Sequence, residues 1–133
     1  MIKRIPLVAS QTALVSTLTA YLTTSVYNKV PSDAVTPYIK VGAFTCKPDG
    51  SKDIDISDIT SQIHVFSDYD GELEVNGIAD DIIKVIGAVK LDLSVNDFKV
   101  MSQGYDMFES FEDDEYGYHG IVTFVARVQN LKM

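Results

Sequence analysis

The stretch Ile59–Ile86, ITSQIHVFSDYDGELEVNGIADDIIKVI, changes its hydrophobic period halfway and so decides the fold class. Its first part alternates between two faces, which predicts a strand. One face carries Ile59, Ser61, Ile63 and Val65, and the other carries Thr60, Gln62, His64 and Phe66. After the turn SDYDG, apolar residues recur at helical spacing at Ile78, Ile82, Val85, Ile86 and Val89. We predict an amphipathic helix there, with Asp70 as its N-cap and Glu72 and Glu74 near its positive end.

Outward from this stretch, the sequence predicts one more helix and three more strands. Upstream, helical spacing of apolar residues predicts a first helix within Ser10–Tyr27, and Tyr38–Thr45 has strand composition. Downstream, Asp97–Met107 and Gly117–Val128 both predict long strands. The order α-β-β-α-β-β predicts an α+β fold, in which an antiparallel or mixed four-stranded sheet has both helices packed on one face.

Length and composition indicate a single domain over residues 1–133. The chain is 46% hydrophobic and has no linker rich in Pro, Gly or Ser that would divide it. The first nine residues, with Lys3, Arg4 and Pro6, are predicted to be an arm to a neighbouring subunit or else a frayed terminus. Because no apolar run could span a bilayer and the start lacks a signal-peptide core, we expect a soluble intracellular protein without membrane contact.

The two faces of the last predicted strand differ in what can cover them. Val122, Phe124, Ala126 and Val128 form one apolar face, which the helices would bury. Ile121 and Val125 point the other way, beside Thr123 and Arg127. We therefore expect another subunit to cover that second face.

Three segments together carry a resemblance to a known family. They are TPYIKVG (Thr36–Gly42), the opening stretch Ile59–Ile86, and the late hairpin SFEDDEYGYHGIVTFVARV (Ser110–Val128). In order and spacing, over roughly Ser10–Val128, the chain resembles the siphophage tail terminator and tail completion proteins. The resemblance implies a small α+β subunit that assembles into a ring, typically a hexamer, on the last ring of the tail tube. It implies a virion protein at the neck, assembled in the host cytoplasm, whose partners are the tail tube protein and the head-tail connector.

A ring of this kind needs two different surfaces on each subunit that fit one another. The loop Cys46–Ser57 and the aromatic hairpin remain once the helices have covered one sheet face, so we predict that both contact other subunits or partners. In the loop the predicted contacts are Lys47, Pro48, Asp53, Ile54 and Ile56. In the hairpin they are Tyr105, Phe108, Phe111, Tyr116 and Tyr118. For these aromatic residues, packing within the hairpin is the other interpretation.

The stretch FESFEDDEYGYHG (Phe108–Gly120) contains four consecutive acids, Glu112, Asp113, Asp114 and Glu115. Consecutive residues in an extended segment point to opposite sides, so the four acids do not converge on one ion. We predict a hairpin with an acidic tip that is either solvated or part of a lumen wall. With a net charge of −8, such a wall repels phosphates, so DNA would pass through the ring without specific binding.

No motif in the sequence predicts catalysis or a cofactor. His64, His119 and Cys46 lie in three different segments, which is a weak basis for a zinc site. Asp49, Ser51 and Asp53 match the start of an EF-hand loop, but Ile54 and Thr60 stand where Gly and Glu are needed. We expect no catalytic residue, no metal and no cofactor. The alternatives are a head-side connector or another tail or neck subunit and, in another class, a carboxylate metal-dependent enzyme.

Overall fold

The computed structural model describes residues 2–115 and 117–132. Within these residues the chain forms two α-helices, α1 (Leu7–Tyr21) and α2 (Leu73–Ala88), and one five-stranded sheet. The strands are β1 (Ser25–Tyr27), β2 (Tyr38–Pro48), β3 (Ile56–Ser67), β4 (Phe98–Asp113) and β5 (Gly117–Asn130). A short 3-10 helix, Ser94–Asn96, precedes β4.

The sheet is mixed, and its strand order is β1-β2-β3-β5-β4. The α+β class is confirmed, but the prediction of four strands is wrong because β1 adds a fifth, parallel to β2. The first helix also differs from the predicted Ser10–Tyr27. It begins at Leu7 and ends at Tyr21, and Leu22 is already extended. Thr23, Thr24 and Val26 are β-branched, which favours the extended chain that leads into β1.

Both helices pack on the same face of the sheet. Leu14 and Leu18 of α1 are fully buried, and α2 buries Val75, Ala79, Ile82 and Ile86. The sheet side of this core is formed by Ile39, Val41, Ile59, Ile63, Val65, Val122, Phe124, Ala126 and Val128. The predicted alternation of Ile59–Phe66 is confirmed, because its Ile59 face is the one buried against the helices.

The start of α2 differs from the prediction, since Asp70 is not its N-cap. Glu72 occupies the cap position without a side-chain hydrogen bond, whereas Glu74 lies in the first turn as expected. The Ser67 hydroxyl donates to Glu74 Oε1 at 2.6 Å and accepts from the Tyr69 amide at 3.1 Å. Ser67 at the end of β3 therefore joins the strand to the helix.

The last two strands are longer than predicted. β4 runs to Asp113 rather than Met107, and β5 continues to Asn130. β4 contains two irregularities in its pairing with β5, at Val100/Ser102 and at Tyr105/Met107. Such bulges insert unpaired residues, which break the alternation that sequence patterns rely on. β3 is the central strand of the five, and β5 lies next to it, pairing with β3 on one side and β4 on the other.

Candidate functional site

The sheet face opposite the helices is open, since no described helix packs on it. Gln62 is exposed there, and Ile121, Thr123 and Val125 are half-buried. Antiparallel strand pairing places residues directly opposite each other on the same face. The open face therefore contains the apolar side chains that the sequence predicted to point away from the helices.

Four aromatic rings form a row across one end of this open face. The register places Tyr38 of β2 opposite Phe66 of β3, Phe66 opposite His119 of β5, and His119 opposite Phe111 of β4. The ring centroids are 5.2 Å apart for Tyr38–Phe66, 4.4 Å for Phe66–His119 and 5.0 Å for Phe111–His119. These separations are those of favourable aromatic pairs. The row explains why Phe66 is buried although it lies on the open face.

Beside the row, His64 and His119 share a hydrogen bond. His64 Nδ1 lies 2.8 Å from His119 Nε2, so one neutral ring donates and the other accepts. Burial, together with the positive charges of His119 and Lys40, lowers the pKa of His64 to about 4. Burial also lowers the pKa of His119, although Asp113 and Glu109 act in the opposite direction. The two rings are therefore neutral at pH 7 and form part of the apolar surface.

Sequence reasoning did not place these two histidines together, because they are 55 residues apart. The signal that could have found them is the strand register, since neighbouring strands bring alternate residues of β3 and β5 onto one face. Cys46 lies opposite Ile59, on the face that the helices cover, and so away from both histidines. Among the described residues, no three His, Cys, Asp or Glu side chains are grouped to hold a metal ion.

The loop between β2 and β3 is shorter than the predicted segment Cys46–Ser57. Lys47 and Pro48 belong to β2, and Ile56 begins β3, where only 9% of it is exposed. Asp53 and Ile54 lie in the loop and are exposed. Ile56 thus offers little surface to a partner, whereas the other four residues are accessible.

Arg127 of β5 links this loop to the sheet by pairing with two aspartates. The Arg127 guanidinium pairs with Asp49 in the loop and with Asp58 on β3, the latter at 3.1 Å. Arg127 holds the pKa of Asp49 below its usual range. Asp49 therefore pairs with an arginine of β5, and the loop is tied to the open face.

The aromatic residues of the β4–β5 hairpin divide into two groups. Phe108 and Tyr118 are partly buried and pack against the core. Tyr105 and Phe111 are 48% and 38% exposed. The fifth predicted contact, Tyr116, lies outside the described residues. Packing within the domain thus holds for Phe108 and Tyr118, whereas partner contacts of the exposed Tyr105 and Phe111 stay a prediction.

The acidic tip is the end of this hairpin. Glu112, Asp114 and Glu115 are exposed, whereas Asp113 is half-buried. Asp113 Oδ1 accepts a hydrogen bond from the Glu115 amide at 2.8 Å, and its Oδ2 lies 3.7 Å from His119 Nδ1. Asp113 therefore connects the acidic tip to the histidine pair.

The start of the chain is anchored to the domain through Arg4. Its guanidinium donates to Asn130 Oδ1 and to the carbonyls of Asn96 and Asp97, each at 2.9 Å, and lies 4.1 Å from the centre of the Phe98 ring. The Arg4 amide donates to the buried carboxylate of Asp55. Of the predicted arm, residues 7–9 form the first turn of α1.

These features can be compared with known families. The family model described as Tail completion protein gp17 matches residues 9–129, nearly the whole chain. The chain belongs to this family. It is therefore a structural protein of the phage tail.

A solved structure supports the fold of this tail completion family member. A chain in the structure titled "Virion of native gene transfer agent (GTA) particle" superimposes with a TM-score of 0.74 and 19% sequence identity, covering 90% of this chain and 93% of that chain. At this identity the likeness establishes the fold. No curated protein matches the sequence significantly. Within the described residues, no helix is long and apolar enough to cross a membrane.

Proposed function

We propose that this tail completion protein forms a ring of about six copies that caps the tail tube, stops its elongation and offers the surface to which the head connector joins. The observation that carries the proposal is the open sheet face, where Ile121 and Val125 are half-buried and Phe111, at the end of the aromatic row, is 38% exposed. A contiguous apolar surface on a small subunit is typical of an assembly interface.

The proposed role follows from the geometry of self-assembling tubes. A tube of identical rings always exposes a terminal ring that accepts another, so a different protein must bind that end to fix the length. A capping ring does this if its tube side resembles a tube ring and its other side does not. The virion title of the structural neighbour is consistent with such a place in a particle.

The partners in this proposal are the tail tube protein on one side and the head-tail connector on the other. DNA passes through the ring without being held. The acidic tip, Glu112–Glu115, would then line the lumen, where carboxylates repel the phosphate backbone. The proposed role is structural rather than enzymatic, in keeping with a family of structural tail proteins.

Cryo-electron microscopy of virions tests the proposed position. We expect a single ring of this chain between the last tube ring and the connector, and native mass spectrometry of the concentrated protein should detect the same copy number. A stable dimer with no ring on the tail would contradict the proposal.

A variant of the aromatic row tests whether the end of the open face at the edge strand β4 takes part in the ring contact. Phe111→Asp places a charge on a surface that is 38% exposed in the free subunit and should abolish ring formation while the subunit stays folded. Val95→Asp is the matched control, since Val95 is 91% exposed and lies in the 3-10 helix outside the sheet. Rings that form equally well with both variants would exclude the open face at Phe111 as an interface.

A further inference from the structure

The sheet has two edges, and most of each is unpaired. On one side, β1 pairs only with Tyr38–Lys40, so within the described residues no strand pairs with the outer edge of β2 from Val41 to Pro48. On the other side lies β4, which is 16 residues long. Among the described residues it pairs with β5 alone, so its outer edge is unpaired there. Unpaired strand edges present backbone donors and acceptors to any other chain with a free edge.

The β4 edge is protected only in part. Free edge strands are commonly short, or contain bulges, prolines or charges that prevent pairing. β4 has two bulges and five charged side chains, but it is 16 residues long. It also exposes four large apolar side chains, and the exposed fractions are 42% for Met101, 48% for Tyr105, 51% for Met107 and 38% for Phe111. These fractions favour an edge that is covered in the assembled state.

The two edges carry opposite charges. The unpaired segment of β2, Val41–Pro48, contains Lys47 and no acid. The second half of β4 contains no base, and its acids are Asp106, Glu109, Glu112 and Asp113. The asymmetry extends beyond the strands, because residues 1–48 contain five Lys or Arg and one acid, whereas residues 49–133 contain six bases and eighteen acids. The partner that complements each edge is therefore the other edge of a second copy of this chain.

The register also places these charges on one face. Lys47 lies opposite Asp58, and Asp58 lies opposite Arg127, which puts Lys47 on the open face. Glu109 lies opposite Ile121 on that same face. If β4 of one copy continued the sheet beside β2 of the next, Lys47 and Glu109 would lie on the same face of the new strand pair, where opposite charges are favourable.

We propose that, in the ring, the second half of β4 of each copy pairs with the Val41–Pro48 segment of β2 in the next copy, so that one sheet continues from subunit to subunit. This inference rests on the proposed ring. The contact joins two different surfaces, so each copy uses each edge once, and a closed ring leaves neither edge free.

Disulfide trapping tests the strand pairing in the full chain. With Cys46→Ser as background, Thr45→Cys on β2 is combined in turn with Tyr105→Cys, Met107→Cys or Glu109→Cys on β4, all exposed positions. Disulfides form only when Cα atoms lie within about 7 Å, so at least one pair should give a ladder of covalent multimers after oxidation of the ring. The control pair is Thr45→Cys with Val8→Cys, which is 79% exposed on α1. The proposal is wrong if only the control pair gives a ladder, or if none of the three test pairs gives one.

Charge exchange gives an independent test. Lys47→Glu and Glu109→Lys should each raise the concentration needed for ring formation by about tenfold, and the double variant should recover most of the loss. The same exchange at Lys84 and Asp80, an exposed pair at 2.8 Å on α2, is the matched control and should leave ring formation unchanged. Circular dichroism must show that every variant is folded.

The outcomes separate this inference from the proposed function. If the unaltered chain forms a ring on tails but both single charge variants assemble as well as it does, the edge pairing is wrong and the capping ring stands. If the unaltered chain forms no ring on tails, the proposed function fails and the edge pairing fails with it.

Discussion

His64 Nδ1 and His119 Nε2 lie 2.8 Å apart on the open sheet face, so the two rings can share a single proton but cannot both be charged without repulsion. His64 also faces Lys40, whereas Asp113 and Glu109 act on His119. The pair is a property of the folded state, since the two residues are separated in an unfolded chain.

This arrangement predicts a loss of stability at mildly acidic pH. The pKa of His64 is about 4 in the folded chain, compared with 6.5 for an ordinary histidine, which the unfolded chain resembles. Between pH 4 and pH 6.5 the unfolded chain therefore binds a proton that the folded chain does not. The free energy of unfolding therefore falls as pH drops through this window, by about 2 kcal/mol once partial exposure is allowed for. Urea unfolding at a series of pH values measures it.

The matched variant for this prediction is His64→Gln, which keeps a hydrogen-bonding side chain but does not titrate. Its unfolding free energy should depend less on pH across the same window. An identical pH dependence in the two proteins would show that other groups, such as carboxylates, are responsible.

Asp113 should set the protonation of His119. Its carboxylate raises the pKa of His119 against the larger effect of burial. Asp113→Asn removes that charge, so we expect the pKa of His119 to fall further, as followed by NMR of the imidazole protons. Asp114→Asn, at an exposed neighbouring position, should leave this pKa unchanged. Equal shifts from both variants would mean that the general charge of the tip is responsible.

The double variant Asp113→Asn, Asp114→Asn should retain the fold at pH 7. Asp114 is an exposed surface charge, which contributes within about 0.5 kcal/mol, and Asn at the half-buried position 113 still offers an oxygen to the Glu115 amide. Denaturant unfolding checks this expectation. A large loss of stability would indicate that the acids belong to a buried network or hold an ion.

Gln103 should contribute strongly to stability, because it joins β4 to the end of α2. Its side-chain amide donates to the carbonyls of Ile86 and Val89, at 2.9 and 2.8 Å, and its oxygen accepts from the Leu91 amide at 2.9 Å. Gln103→Leu leaves these groups without their partner and should cost about 2–3 kcal/mol in urea unfolding. Ser102→Ala, at the exposed neighbouring position, is the control. A loss of stability as large as that of Gln103→Leu would show that the hydrogen bonds of Gln103 are not the cause.

Ser10 offers a substitution that should stabilise the protein. It is fully buried on α1, and among the described residues its hydroxyl has no hydrogen-bond partner. Ser10→Ala removes a buried unpaired polar group and also raises helix propensity, so we expect a gain of about 1 kcal/mol in unfolding free energy. Ser16→Ala, exposed on the same helix, should gain only the smaller propensity effect. A destabilised Ser10→Ala protein would mean that the hydroxyl has a partner such as a buried water.

The parts of the fold that were predictable from the sequence are those with a sustained period. The alternation of Ile59–Phe66 predicts the buried face of β3, and the spacing from Ile78 onwards predicts α2. The missed strand β1 has only three residues, too few to show a period. The extent of β4 was also missed, because its bulges interrupt the alternation.

The candidate site was predictable only in part, because it depends on register. Ile121 and Val125 already indicate that the second sheet face is apolar. The row of rings and the histidine pair require knowledge of which residues of β3 and β5 lie opposite each other, as Phe66 and His119 do. Sequence patterns give the face on which a residue lies but not its neighbour on the next strand.

The central claim is that this protein ends the tail tube, and the distribution of tail lengths in a deletion strain tests it most directly. Electron micrographs of lysates lacking the protein should show filled heads without tails, together with free tails that are abnormally long or vary in length. Tails of normal length attached to heads would contradict the account, and unattached tails of normal length would contradict tube termination while leaving a role in joining head to tail.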